Sequence, residues 1–136
     1  MIGIAPSLYD LEGNSPEPGI GPAPPEPIID LVHLARQSLG DQALELELLE
    51  MFERHSARIV AQLSQTKAGD FKPRGDLAHG LKGSALAIGA GRVARTAARF
   101  ESLCAGSRPE RELAPALAEL GEAVAEARNA IVKLIA

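Results

Sequence analysis

From Ile28 onward the apolar residues recur every three or four positions, with charged or small residues between them. That period gathers apolar side chains on one stripe of a 3.6-residue turn and marks amphipathic helices. In "IIDLVHLARQSL" the stripe consists of Ile28, Leu31, Val32, Ala35 and Leu39, and Gly40 is a natural stop. Asp41 is placed to cap the next stretch, "QALELELLEMFERHSARIVAQLSQ", whose stripe runs through Leu44, Leu48, Met51, Phe52, Ile59 and Leu63. "KAGD" reads as a loop with Asp70 as the following N-cap. Pro73 then falls in the first turn of a third helix, where a missing N–H does no harm.

That third helix runs to about Ile88, with Leu77, Leu81, Ala85 and Ile88 inward and Ser84 beside them. Gly89 to Gly91 form a tight joint. Val93, Ala97, Phe100 and Cys104 share one face of the next helix, and "GSRPE" breaks it. The last helix carries Leu113, Leu117, Leu120, Val124, Ile131 and Leu134; Pro115 either sits in its first turn, with a start near Leu113, or kinks it. One short helix and four longer ones on short loops predict an all-α fold, an antiparallel four-helix bundle preceded by a short extra helix. This bundle is assigned to residues 27–136. Residues 1–26, crowded with prolines and glycines, read as a disordered tail, because they offer too little apolar surface to offset the entropy of ordering.

Composition narrows the picture. With three Phe, one Tyr and no Trp, the core must come from Leu, Ala, Ile and Val, which suits helices better than a sheet. The formal charge of −4 and the scarcity of aromatics argue against a nucleic-acid partner. No apolar run reaches the length of a membrane span, and the start "MIGIAPSLYDLEG" lacks the features of a secretory signal, so the expected location is cytoplasmic. Cys104, the single cysteine, excludes an internal disulfide and reads as an inert packed thiol.

The chemistry concentrates in "DLAHGLKGSALAIGA", Asp76 to Ala90. Each of Gly80 and Gly83 should weaken a helix by about 1 kcal/mol relative to alanine. At 100° per residue His79 points away from the Leu81 stripe, and Lys82, Gly83 and Leu86 share its face. An outward imidazole is largely neutral, hence nucleophilic, at pH 7. Lys82 brings positive charge to the place where a phosphoryl group would bring negative charge, and Gly83 removes bulk that would stop another protein from reaching the ring. Six cations (Lys72, Arg74, Lys82, Arg92, Arg95, Arg99) against Asp76 alone give this region +5, which predicts a basic patch suited to an acidic partner. His33 reads as an ordinary surface residue and His55 as a boundary or core residue with a hydrogen-bond partner. No metal site is assigned, since the three histidines fall on different helices without a Glu-x-x-His pair.

"HGLKGSALAIGA" resembles the signature of histidine-containing phosphotransfer (HPt) domains, through His79, Leu81, Lys82, Gly83, Ser84, Ala85, Gly89 and Ala90. With the upstream "LGDQALELELLEMF" the resemblance covers about residues 28–135. It implies a phosphorelay carrier in which His79 takes a phosphoryl group from an aspartyl phosphate on a response-regulator receiver domain and relays it to another. Hybrid histidine kinases and response regulators are the implied partners, with Lys82 balancing charge and Gly75, Gly83 and Leu86 shaping the docking face. No cofactor is implied for the chain itself; Mg²⁺ belongs to the receiver. No ATP-binding loop is visible, so autokinase activity is not expected. The chain is expected to be a stand-alone monomer. Gly80 departs from the bulkier residues often found after the histidine. Glu101, where some members have glutamine, leaves two readings open: opposing the phosphoryl charge or orienting the imidazole. Two other readings remain: a helical adaptor or inhibitor that binds a kinase or receiver without carrying phosphate, and the phosphoacceptor domain of a chemotaxis-type kinase.

Overall fold

The structure, a computed structural model, describes residues 26–136, so the tail assigned to the N-terminus lies, up to Pro25, outside the described residues. Five helices follow in order: α1 Leu31–Ser38, α2 Gln42–Ser64, α3 Phe71–Ile88, α4 Gly91–Ala105 and α5 Glu110–Ile135, with no strand among the described residues. Asp30 caps α1 by accepting from His33 N at 3.1 Å, and Asp41 caps α2 by accepting from Leu44 N at 3.1 Å. Asp70 stands at the start of α3 but makes no side-chain cap bond. Its carboxylate instead accepts from Lys67 N at 2.8 Å and so ties the loop that precedes the helix.

Helices α2 to α5 close into a ring of neighbours, α2 on α3, α3 on α4, α4 on α5 and α5 back on α2, while α1 lies across α2 and α3 alone. The short connections run sequential helices antiparallel. The centre is filled by Leu63, Leu81, Phe100, Leu113, Leu120 and Ile131, which together have no measurable exposure. These residues are mostly leucine-sized and seated at helical spacing, as the sequence pattern implies. The join of α1 to α3 is tight. Asp30 N donates to Gly89 O at 2.9 Å, Gly89 has φ +79°, and a Cβ there would stand 2.9 Å from the Asp30 backbone oxygen.

Several helix faces differ from the pattern-based expectation. On α1 the buried positions are Leu34 and Ser38, preceded by Ile29, whereas the whole expected stripe, Ile28, Leu31, Val32, Ala35 and Leu39, is exposed. An eight-residue helix touching only two neighbours is rotated by its anchored start at Asp30 more than by its own apolar count. On α2 the buried line is Leu49, Phe52, Ser56, Ile59 and Leu63, with Leu44 and Met51 outside. Ser56 is buried because its hydroxyl bonds back to the Glu53 carbonyl, which lets a polar residue occupy a core position. Leu77 is only partly buried, and Leu134 is exposed near the end of α5. Helix α5 begins three residues before the expected Leu113 and runs unbroken past Pro115. Glu110 and Glu112 in its first turn favour that early start, and Pro115 lies on the exposed face, where water can serve the carbonyl its missing N–H leaves open.

Candidate functional site

Helix α3 presents His79 to solvent, with its side chain 67% exposed. The packing of α4 against α3 brings Glu101 level with it. One carboxylate oxygen, Oε2, lies 2.8 Å from His79 Nδ1, and the other, Oε1, accepts from Lys82 Nζ at 3.0 Å. Glu101 thus bridges histidine and lysine, which sit one turn apart on the same face. The Lys82 ammonium holds the Glu101 carboxyl below its usual range, partial burial opposes this, and the His79 bond adds to it. An ionised carboxylate only accepts hydrogen bonds, so a neutral His79 carries its proton on Nδ1. Nε2 then keeps its lone pair and has no hydrogen-bond partner among the described residues. Of the two readings left open for Glu101, this geometry is the orienting one.

The surroundings are open. A Cβ built at Gly80 or Gly83 would meet nothing within 4 Å, and Leu86 is exposed. Gly75 plays a different part from Gly83. It faces α4, where an added Cβ would stand 3.5 Å from Cys104 Cβ, and it lines a shallow groove of about 520 Å³ beside His79. Cys104 at the base of that groove is buried, and desolvation pushes its thiol pKa up, which fits a packing role.

The expected basic patch does not form as such. Lys72 pairs with Asp76, Arg74 with Glu110, Lys82 with Glu101, Arg92 with Glu126, Arg95 with Glu26 and Arg99 with Glu119. A window of sequence sees the cations but not the carboxylates that α4, α5 and Glu26 bring alongside. Arg74 is moreover not a surface charge. It is buried, donates from Nε to Thr66 Oγ1 at 2.9 Å and from Nη1 to Glu110 Oε1 at 2.7 Å, and so ties the start of α3 to the start of α5. His33 also departs from its expected role. Its Nε2 donates to the Leu86 carbonyl at 2.7 Å, pinning α1 to the last turn of α3. His55 is half-buried at the α2–α3 boundary, but the hydrogen-bond partner expected for it is not found among the described residues. Among the described residues no group of three His, Cys, Asp or Glu side chains could hold a metal ion.

The sequence profile of the Hpt domain matches residues 47–130, more than half of the chain. The chain belongs to the Hpt domain family. The matched span runs from the first turns of α2 to the last turns of α5, so it contains His79, Lys82 and Glu101 and leaves α1 outside. Membership gives this Hpt domain a phosphotransfer-type role, in a family of phosphocarriers that work with response-regulator receivers. Its fold is shared by a rice protein, solved by X-ray crystallography and named for histidine-containing phosphotransfer, with a TM-score of 0.68 over 79% of each chain at 22% identity. No curated protein matches the chain. No helix among the described residues of this Hpt domain is long and apolar enough to cross a membrane.

Proposed function

We propose that this chain is a phosphorelay carrier whose His79 accepts a phosphoryl group from an aspartyl phosphate on a receiver domain and hands it to a second response regulator. The observation that supports the reading is the exposed His79 ring held at Nδ1 by Glu101, with Nε2 unpartnered among the described residues. In the step, the Nε2 lone pair attacks phosphorus in line. The N–P bond forms, the P–O bond of the acyl phosphate breaks, and the receiver's aspartate leaves as a carboxylate with that electron pair. His79 becomes a phosphorylated imidazolium, and the ionised Glu101 on Nδ1 stabilises the positive charge. Lys82 keeps Glu101 ionised and has two further N–H donors for the phosphoryl oxygens.

Gly83 and Leu86 form the face a receiver approaches, and Gly75 lets the groove between α3 and α4 come close to the ring. Mg²⁺ is assigned to the receiver, and the chain does not phosphorylate itself. Contact with each partner is transient and of modest area, because a relay carrier must release it. The experiment mixes the protein with a receiver carrying labelled aspartyl phosphate. The expected product is an acid-labile, base-stable phosphate on the chain, absent in His79→Gln. Uptake of label by that variant would end the assignment.

A further inference from the structure

Phosphoryl relay has two halves, charging and discharge, and the proton on Nδ1 bears on the second. Once Nε2 carries the phosphoryl group, Nδ1 is the only proton site left on the ring. Discharge breaks the N–P bond and returns its electron pair to Nε2. With a proton on Nδ1, the group that leaves phosphorus is a neutral imidazole. Without that proton it is imidazolate, a far more basic anion and a far poorer leaving group. The charged ring therefore discharges only while Nδ1 stays protonated.

Facing that proton is a carboxylate that can only accept. Glu101 Oε2 lies 2.8 Å from Nδ1, and Lys82 Nζ, 3.0 Å from Oε1, keeps the carboxyl ionised. Were the proton lost, the Nδ1 lone pair would face a carboxylate oxygen with no hydrogen between two acceptors. Glu101 is also fixed in place: Lys82 holds its other oxygen, and the buried Phe100 and Cys104 anchor that part of α4. The remaining titratable groups in the groove beside His79 do not replace it. Lys72 and Asp76 of α3 pair with each other at 3.0 Å, and Cys104 of α4 is a buried thiol that desolvation keeps neutral. No described residue of α1 or α2 lines that groove. A glutamine in place of Glu101 would accept from a protonated Nδ1 through its amide oxygen and donate to a bare one through its amide nitrogen. It would orient the ring without selecting its protonation state.

We infer that Glu101 retains the proton on Nδ1 after His79 is phosphorylated and so keeps the second transfer open at neutral and mildly alkaline pH. The inference rests on the carrier reading and concerns its discharge step. There the aspartate oxygen of the next receiver attacks phosphorus and the P–O bond forms. The N–P bond breaks, its electron pair returns to Nε2, and the Nδ1 proton stays where it is. An imidazole without such a partner titrates at about pH 6.5 and would be shut off above it.

The full chain is phosphorylated with phosphoramidate, whose P–N bond breaks as ammonia leaves, and is then freed of reagent, with His79→Gln as the blank. Nitrogen NMR of the charged ring reads the Nδ1 proton, and label passed to an unphosphorylated, Mg²⁺-loaded receiver reads discharge. In wild type the proton is retained and the discharge rate stays nearly level from about pH 6.5 to 8.5. In Glu101→Gln, folded by circular dichroism, the proton is lost over that range. Its discharge then falls by about tenfold per pH unit, or about a hundredfold across the range. A wild-type ring that deprotonates together with the variant's, or two discharge profiles of the same shape, would overturn the inference. A wild-type protein that passes label to no receiver at any pH would count against the carrier reading, and the nitrogen spectra would still decide whether Glu101 retains the proton.

Discussion

The His79 ring has two nitrogens, and the protein occupies one of them. Glu101 accepts a hydrogen bond from Nδ1 at 2.8 Å, and Lys82 keeps that carboxylate ionised from 3.0 Å on its other oxygen. Glu101 is therefore a positioning residue that selects the tautomer with a free Nε2. A hydrogen bond to a charged group contributes about 1.5–3 kcal/mol, which corresponds to about a ten- to a hundredfold effect on rate. Glu101→Ala is expected to slow label uptake from a phosphorylated receiver by that factor, and Glu101→Gln by less, since its amide oxygen still accepts from Nδ1. Circular dichroism should show both variants folded. Equal uptake rates in wild type and Glu101→Ala would mean that the ring needs no orienting partner.

Along α3, two glycines sit mid-helix where no neighbour demands them. Added side chains at Gly80 and Gly83 meet open space, so packing does not explain their presence. Replacing Gly80 by alanine should raise stability in urea by about 0.5–1 kcal/mol through helix propensity alone. Gly83→Leu should also stabilise, yet slow phosphoryl transfer, because its side chain projects onto the face proposed for a receiver's approach. A Gly83→Leu protein with full transfer rate would refute the access role. The glycine at the end of the helix behaves differently. Gly89 has φ +79° and its carbonyl accepts from Asp30 N, so there the backbone itself requires glycine.

Across the whole molecule, ion pairs link helices that the hydrophobic pattern leaves independent. Arg74 joins α3 to α5 through Glu110, Arg128 joins α5 to α2 through Glu53, and Lys82 joins α3 to α4 through Glu101. The Glu110 carboxyl is held low chiefly by the Arg74 hydrogen bond, and Glu101 chiefly by Lys82, in each case below the usual 4.5. Unfolded, these carboxyls regain ordinary values and take up protons first as the pH drops. The stability they contribute is complete above about pH 4.5 and is lost as the pH falls through their lowered folded values. Urea midpoints should therefore decline from pH 5 toward pH 3, and Glu110→Gln should flatten the decline; an equally steep fall in that variant would show that the pair plays no part.

Much of this was legible from spacing and residue type. Five helices, the Asp41 and Gly89 punctuation and the outward His79–Lys82–Gly83 face follow from the 3.6-residue period and local turn chemistry, which act over a few residues and need no partner. What needed the tertiary structure is whatever depends on a second helix. Apolar counting placed the α1 stripe on exposed residues throughout and the α2 stripe on partly wrong ones, because rotation is set by the neighbours and a self-bonded Ser56 can be core. The +5 region became a set of ion pairs once carboxylates distant in sequence came alongside. Glu101, twenty-two positions from His79, acquired its role only when α4 packed on α3 and brought a carboxylate within bonding distance of one ring nitrogen. Local order is written in neighbouring residues; charge pairing and tautomer depend on which surfaces the fold brings together.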